Sequence, residues 1–366
     1  MEERIARVAD SGRTHMDLRL SVRGPKATRE SRMEVVAWIA VCKFNCNLEG
    51  GFVRDWIVAN ERVCPAPEIQ PSDWVQFDAL TGTPSLLKAL VPSDLDCKMP
   101  LNQYFDVEKF CNEINAFDMK PQLFRSRRSY RLLFDQYHST GPFTLELIEP
   151  YSNVGFRIPD LDVNNLCVKR DQCNELTQRV DLSESPCFIS IKQIIENIQS
   201  KKFHVLPLMN ELIMSRIQKM VTRGWTQIGV PLINKPQQIK PIFAVSLLAE
   251  TSILYKTIVN QMQKITPSII ISIEQVHNSE LDIVYASMKK IITNACPDHN
   301  PNEQFLFHGI HTDKAKKIME QGFDYGLFKT HGQLGNGAYF ADNAQKSHEY
   351  TLPADNDTTR IMFYNK

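Results

Sequence analysis

FLFHGIHTDKAKKIMEQGFDYGLFKTHGQLGNGAYFADNAQKSHEYT, running from Phe305 to Thr351, is the stretch on which the fold turns. Phe305, Leu306 and Phe307 form a short apolar run suited to a buried strand. His308 and Gly309 are therefore expected at that strand's end, where backbone can face a ligand. Thr312 is suited to cap a helix, Ala315, Ile318 and Met319 recur on one helical face, and Gly322 supplies the stop. Gly335 and Gly337 follow, allowing close main-chain approach or positive φ, ahead of a strand-like Ala338-Tyr339-Phe340-Ala341. Ser347 and Tyr350 come soon after. Two aromatic rings can sandwich a planar ring, a serine hydroxyl and a glycine amide can hold a carboxamide, and a histidine can hold a ribose hydroxyl. No strongly nucleophilic constellation accompanies these groups, which suit positioning a nicotinamide nucleotide better than attacking it.

The segment resembles the first half of the catalytic domain of the poly(ADP-ribose) polymerase family, the diphtheria-toxin-like ADP-ribosyltransferases. The residues that carry the resemblance are Leu306-Phe307-His308-Gly309, Gly322-Phe323, Gly335-Asn336-Gly337-Ala338-Tyr339-Phe340-Ala341 and Ser347-His348-Glu349-Tyr350. Upstream, Ser268 to Ile273 (SIIISI), Val276-His277-Asn278 and the amphipathic series Leu281, Val284, Tyr285, Met288, Ile292 resemble the strand and helix that open the domain in the mono-ADP-ribosylating branch. The resemblance spans roughly residues 245–366 and implies NAD as substrate. It implies that His308 holds the ribose, that Gly309 and Ser347 grip the nicotinamide amide, and that Tyr339 and Tyr350 flank its ring. His308, Tyr339 and Tyr350 would thus serve catalysis, passing ADP-ribose to a protein or nucleic-acid acceptor as nicotinamide leaves. The family's third catalytic position has no counterpart before Lys366, where Arg360 to Tyr364 (RIMFY) begins another strand. The chain is accordingly expected to be a fragment, and the number of ADP-ribose units transferred is not legible.

Composition bounds the rest. A length of 366 residues allows two to three domains, and 43% hydrophobic with 23% charged residues is ordinary for a globular protein. Lys plus Arg equals Asp plus Glu at 42 each, so no global field points to nucleic acid or membrane. The nine cysteines include no CxxC pair, and Cys42/Cys46 and Cys167/Cys173 have the wrong spacing for zinc knuckles. Reduced thiols are expected, and with no apolar leader and no membrane span, an intracellular protein of the nucleus or cytoplasm.

The N-terminal part carries a second motif. Residues 1–30 are polar and charge-rich, and a mobile lead-in is expected there. Met33 to Cys46 reads as a helix, followed by Asn47-Leu48-Glu49-Gly50-Gly51-Phe52-Val53-Arg54-Asp55-Trp56-Ile57. A double glycine at a helix mouth leaves backbone N–H groups facing outward, a ready phosphate site. In Ser93-Asp94-Leu95-Asp96 two carboxylates share one face of a strand, and Glu146 in the alternating Phe143–Ile148 run adds a third. Such oxygens can chelate Mg2+ bound to a nucleoside triphosphate. GGFVRD resembles the signature of template-independent nucleotidyltransferases, which implies phosphate binding at Gly50, Gly51 and Arg54, metal ligation at Asp94, Asp96 and Glu146, and an RNA end as acceptor. About 40 residues separate the glycines from the DLD, tolerable as a surface insertion. Asp160 and Asp162 offer a competing pair or an ordinary turn. The basic run Arg125 to Arg131 meets phosphates or forms a solvated face.

The expected architecture is α+β. Residues 31–228 form a nucleotidyltransferase-like mixed sheet with closing helices on either side of Pro207, and residues 229–241, with three prolines, form a linker. Residues 242–366 form an incomplete ADP-ribosyltransferase split β-sheet domain. The leading function is NAD-dependent ADP-ribosyl transfer. The alternatives are Mg2+-dependent nucleotidyl transfer and a catalytically degenerate binding protein.

Overall fold

The computed structural model describes residues 1–23, 27–63, 71–79, 82–86, 90–100, 103–125, 129–135, 141–150, 159–172, 175–183, 188–206, 211–231, 243–263, 269–323, 337–353 and 358–366. The chain divides into two compact units, Met1–Gln237 and Gln238–Lys366. The expected linker falls mostly on residues 232–242, outside the described residues.

Unit 1 opens with α1 (Glu2–Ala9), α2 (His15–Arg23) and α3 (Arg29–Trp38), the last continuing into a π-helical segment at Ile39–Lys43. Thr28 and Ser31 close a capping box on α3, each side chain bonding the other's backbone N–H. The mobile lead-in expected over residues 1–30 is not what the structure contains. Ile5, Val8 and Ala9 of α1 and Leu18 and Val22 of α2 are buried in the main core. Arg4 donates to the Ile57 carbonyl at 3.0 Å, and Trp38 Nε1 donates to the Asp10 carbonyl at 2.7 Å. Charge along an amphipathic helix marks its wet face only; the apolar residues between the charges decide its place.

Next come β1 (Asn47–Glu49), a π-helical Phe52–Val58, the paired β2 (Val75–Phe77) and β3 (Pro84–Leu86), β4 (Asp94–Lys98) and α4 (Val107–Asn115). Then follow β5 (Gln122–Arg125), β6 (Ser129–Phe134), β7 (Phe143–Ile148), β8 (Leu166–Val168) and β9 (Thr177–Gln178). The main sheet has the order β5-β6-β7-β4-β1-β8-β9. Only β4 and β7 run parallel among its pairs. Leu48, Leu95, Leu132, Leu145 and Leu147 face the core, as alternation demands. The unit ends with α5 (Ile191–Gln199), β10 (Lys202–Phe203), α6 (Glu211–Thr222) and β11 (Thr226–Gln227), the two short strands pairing parallel where the sequence had indicated helices alone. Ser190 caps α5 by accepting from Gln193 N, and Ile194 and Ile198 are buried.

Unit 2 contains β12 (Ala244–Leu247), α7 (Ile253–Met262), β13 (Glu274–His277), α8 (Ser279–Ala295), β14 (Leu306–Ile310), α9 (Thr312–Gln321), α10 (Ala344–His348) and β15 (Ile361–Asn365). β12 pairs β13 and β14 pairs β15, both antiparallel. The apolar run expected as a strand is not one: Ser268 lies outside the described residues, Ile269 and Ile271 are exposed, and the strand is the next segment, EQVH. Helix α8 forms as the spacing indicates, with Tyr285, Met288 and Ile292 partly exposed. α9 starts one residue from expectation, with His311 in the N-cap position and making no side-chain cap, while Thr312 Oγ1 donates to the Leu352 carbonyl at 3.2 Å. Gly322 ends the helix at φ +71°.

Candidate functional site

In unit 2 the motif residues converge on β14. His308 and Gly309 sit in mid-strand opposite Phe363 and Met362, not at a strand end, because β15 extends the pairing to Ile310. The His308 Nδ1 lies 2.8 Å from the Tyr339 carbonyl oxygen, which fixes one ring nitrogen and leaves Nε2 for another partner. Phe323 and Phe340 pack against the imidazole with centroids 4.9 and 5.2 Å away, forming an aromatic wall. Residues 338–340 are not a strand; Ala341 alone bridges to Phe307 through two backbone hydrogen bonds.

Gly309 is required by close approach. A Cβ there would stand 1.8 Å from the Ser347 carbonyl oxygen, so α10 lies directly on β14. Ser347 is buried and its hydroxyl donates to the Phe307 carbonyl at 3.0 Å. Asn343 caps α10 by accepting from Gln345 N. Tyr339 is partly exposed and Tyr350 is 64% exposed. His308, Gly309, Ser347 and Tyr339 thus meet within one strand–helix contact. The loop glycine Gly335 lies outside the described residues.

Thr351 and Arg360 were not singled out from the sequence. Thr351 is buried, and Arg360 Nη1 donates to its carbonyl at 2.9 Å, tying the segment after Tyr350 to the start of β15. A buried threonine and an arginine nine residues apart carry no motif, so only the fold reveals the link.

The second set of residues lies in unit 1. Gly50 has φ +78°, and a Cβ on it would be 2.2 Å from Asp96 Oδ2. A Cβ on Gly51 would be 3.6 Å from Asp94 Oδ1. The fold therefore brings both glycines against both aspartates across the long intervening segment, because β1 pairs β4 with Glu49 opposite Asp96. Asp96 in turn is opposite Glu146 on β7. Burial pushes the Asp96 carboxyl well up, and Asp94, Glu146 and Glu49 push it in the same direction.

The partners of these carboxylates are internal. Glu146 Oε1 accepts from Ser129 Oγ at 2.6 Å and Oε2 from Arg131 at 2.8 Å. Glu49, missed in the sequence, is buried and receives Arg179 at 2.9 Å. Arg54 is buried: its Nε and Nη2 donate to the two oxygens of Asp55 at 2.6 and 2.9 Å and its Nη1 to Asn164 at 2.6 Å. All three of its nitrogens are thereby engaged by the protein. Burial works to raise the Asp55 carboxyl, yet Arg54 and then Arg223 outweigh it and hold it below its ordinary value. Asp162 accepts from Asn197 Nδ2 and His204 N at 2.7 and 2.8 Å, and Asp160 pairs with Arg216, so that DxD is a bonded turn. Arg125 pairs with Glu149, and Ser126 to Arg128 lie outside the described residues. Among the described residues, no group of three His, Cys, Asp or Glu side chains is disposed to hold a metal ion. No helix among them is long and apolar enough to cross a membrane.

The β14 strand carrying His308-Gly309 and the α10 serine buried against it lie within a stretch that is similar to a known catalytic domain. Residues 249–366 match the family model of the poly(ADP-ribose) polymerase catalytic domain. Among curated proteins, the chain is 32% identical over 126 residues to the human protein mono-ADP-ribosyltransferase PARP12. That stretch is 34% of this chain and 18% of the relative, so the chain spans only a minor part of that protein's length.

Proposed function

We propose that unit 2 binds NAD at the β14–α10 contact and transfers its ADP-ribose to a protein acceptor. The observation that carries this is the meeting of His308, Gly309, Ser347 and Tyr339 at one strand within the segment that matches the catalytic-domain model. In this reading His308 holds ribose hydroxyls through Nε2, and the contact of its Nδ1 with the Tyr339 carbonyl supports that role for the other nitrogen. Gly309 offers main chain to the nicotinamide amide, with Ser347 beside it, and Tyr339 and Tyr350 flank the planar ring. The C1′–N glycosidic bond breaks, its electron pair leaves with neutral nicotinamide, and an acceptor oxygen or nitrogen attacks C1′ and gives up its proton. The pocket's contribution is positioning a substrate whose leaving group is already good.

Incubation with NAD labelled in the adenylate part tests this. Label should pass to protein with release of nicotinamide, and His308→Ala and Tyr350→Ala should abolish both. Label recovered on added RNA instead would shift the acceptor to nucleic acid; NAD binding without release would make unit 2 a binding module. The Mg2+-dependent transfer of a nucleotide from a triphosphate to an RNA end draws less support, because Glu146 is already bonded to Ser129 and Arg131. The cysteines described, Cys42, Cys46, Cys97, Cys111, Cys167 and Cys296, remain thiols, which suits an intracellular NAD-consuming protein of nucleus or cytoplasm.

A further inference from the structure

Register places one row of side chains across the sheet of unit 1: Arg131 on β6, Glu146 on β7, Asp96 on β4 and Glu49 on β1 are successive directly opposed neighbours. Directly opposed residues share a face, and the neighbouring leucines point to the core, so these four side chains lie on the other side together. Beyond Glu49 the row continues to Cys167 and Thr177, and Arg179, two residues past Thr177, lies on the same side and reaches back to Glu49 at 2.9 Å. Three adjacent carboxylates are therefore bracketed by two guanidinium groups. Asp94, two residues before Asp96, adds a fourth carboxylate at the exposed end.

We infer that Arg131 and Arg179 take the electrostatic place of a divalent cation in this row, making unit 1 a metal-independent module rather than a nucleotidyl-transfer centre. A hard divalent ion needs several carboxylate oxygens turned towards one point. Both oxygens of Glu146 are bonded to Ser129 and Arg131, and Glu49 is turned to Arg179. Among the described residues of the row only Asp94 and Asp96 remain, and a neighbouring pair without a third oxygen donor there is a weak ligand set. The internal guanidiniums are planar, permanently charged and bonded in place, so they neutralise like charges that would otherwise oppose folding. The inference concerns unit 1 and does not depend on the function proposed for unit 2.

The test uses the full chain with Mn2+ alone as probe, following free Mn2+ by electron paramagnetic resonance and unfolding in chelator or in Mn2+. Wild type should retain no Mn2+ at millimolar concentration and should unfold at the same temperature in both. Arg131→Gln should unfold at a lower temperature in chelator and recover with Mn2+, which now meets a freed Glu146. Arg131→Gln combined with Glu146→Gln removes both charges and should unfold near wild type with no response to Mn2+. Mn2+ retained by wild type and lost in Asp96→Asn would overturn the inference. So would a double variant as unstable as the single one, which would assign Arg131 a packing role only.

Discussion

At the scale of single residues, buried charge and close approach decide what this protein tolerates. Asp55 is buried between Arg54 and Arg223, and its carboxyl lies below its ordinary value. A depressed aspartate contributes stability that is complete above the unfolded value near pH 3.9 and disappears as pH falls through the lower folded value. Asp55→Asn strands two arginines and should cost about 3 to 5 kcal/mol by denaturant titration near neutral pH, with the difference from wild type narrowing in acid. Asp96 has the opposite sign, since its raised carboxyl is unfavourable when charged. Asp96→Asn should therefore raise the unfolding midpoint of unit 1 at neutral pH, and a lower midpoint would contradict the like-charge account. In unit 2, Gly309→Ala puts a methyl group into the Ser347 carbonyl and should remove any NAD-dependent thermal shift. Most of these positions were legible as candidates because His308-Gly309, Gly50-Gly51 and the DLD carry local spacing. Glu49 and Arg179 were not, because their roles come from strand register, and register between β1, β8 and β9 leaves no periodic mark in the chain.

Elements show where local pattern suffices and where it fails. Helices α5, α6 and α8 follow their apolar spacing closely. The SIIISI run misleads because apolar β-branched residues favour a strand only where a partner strand is available; the pairing partner of β12 is the next four residues instead. The N-terminal helices mislead in the other direction, as surface charge hides five core residues. Ile5→Ala should cost about 2 to 5 kcal/mol in the unfolding of unit 1, the usual range for a buried isoleucine truncation. Backbone amides of α1 should be protected from hydrogen exchange to the same degree as those of α3. Rapid exchange throughout α1 would restore the view of residues 1–30 as a loose leader.

For the whole molecule, two compact units with different cores imply two unfolding steps. Unit 1 buries a large continuous core, whereas the described core cluster of unit 2 centres on Phe307 and Ala344 with Met262, Met362 and Tyr364 against it. Calorimetry should resolve a weaker transition for unit 2, and NAD should raise that transition alone, by linkage to the site proposed within that unit. The measurement that bears most directly on the central claim is label transfer from NAD carrying its label in the adenylate moiety, run on the full chain beside His308→Ala and Tyr350→Ala. The account predicts protein-bound label with stoichiometric nicotinamide release in wild type and neither in the variants. Transfer that persists in both variants would contradict it, because the acceptor reaction would then be using some site other than the one built on β14 and α10.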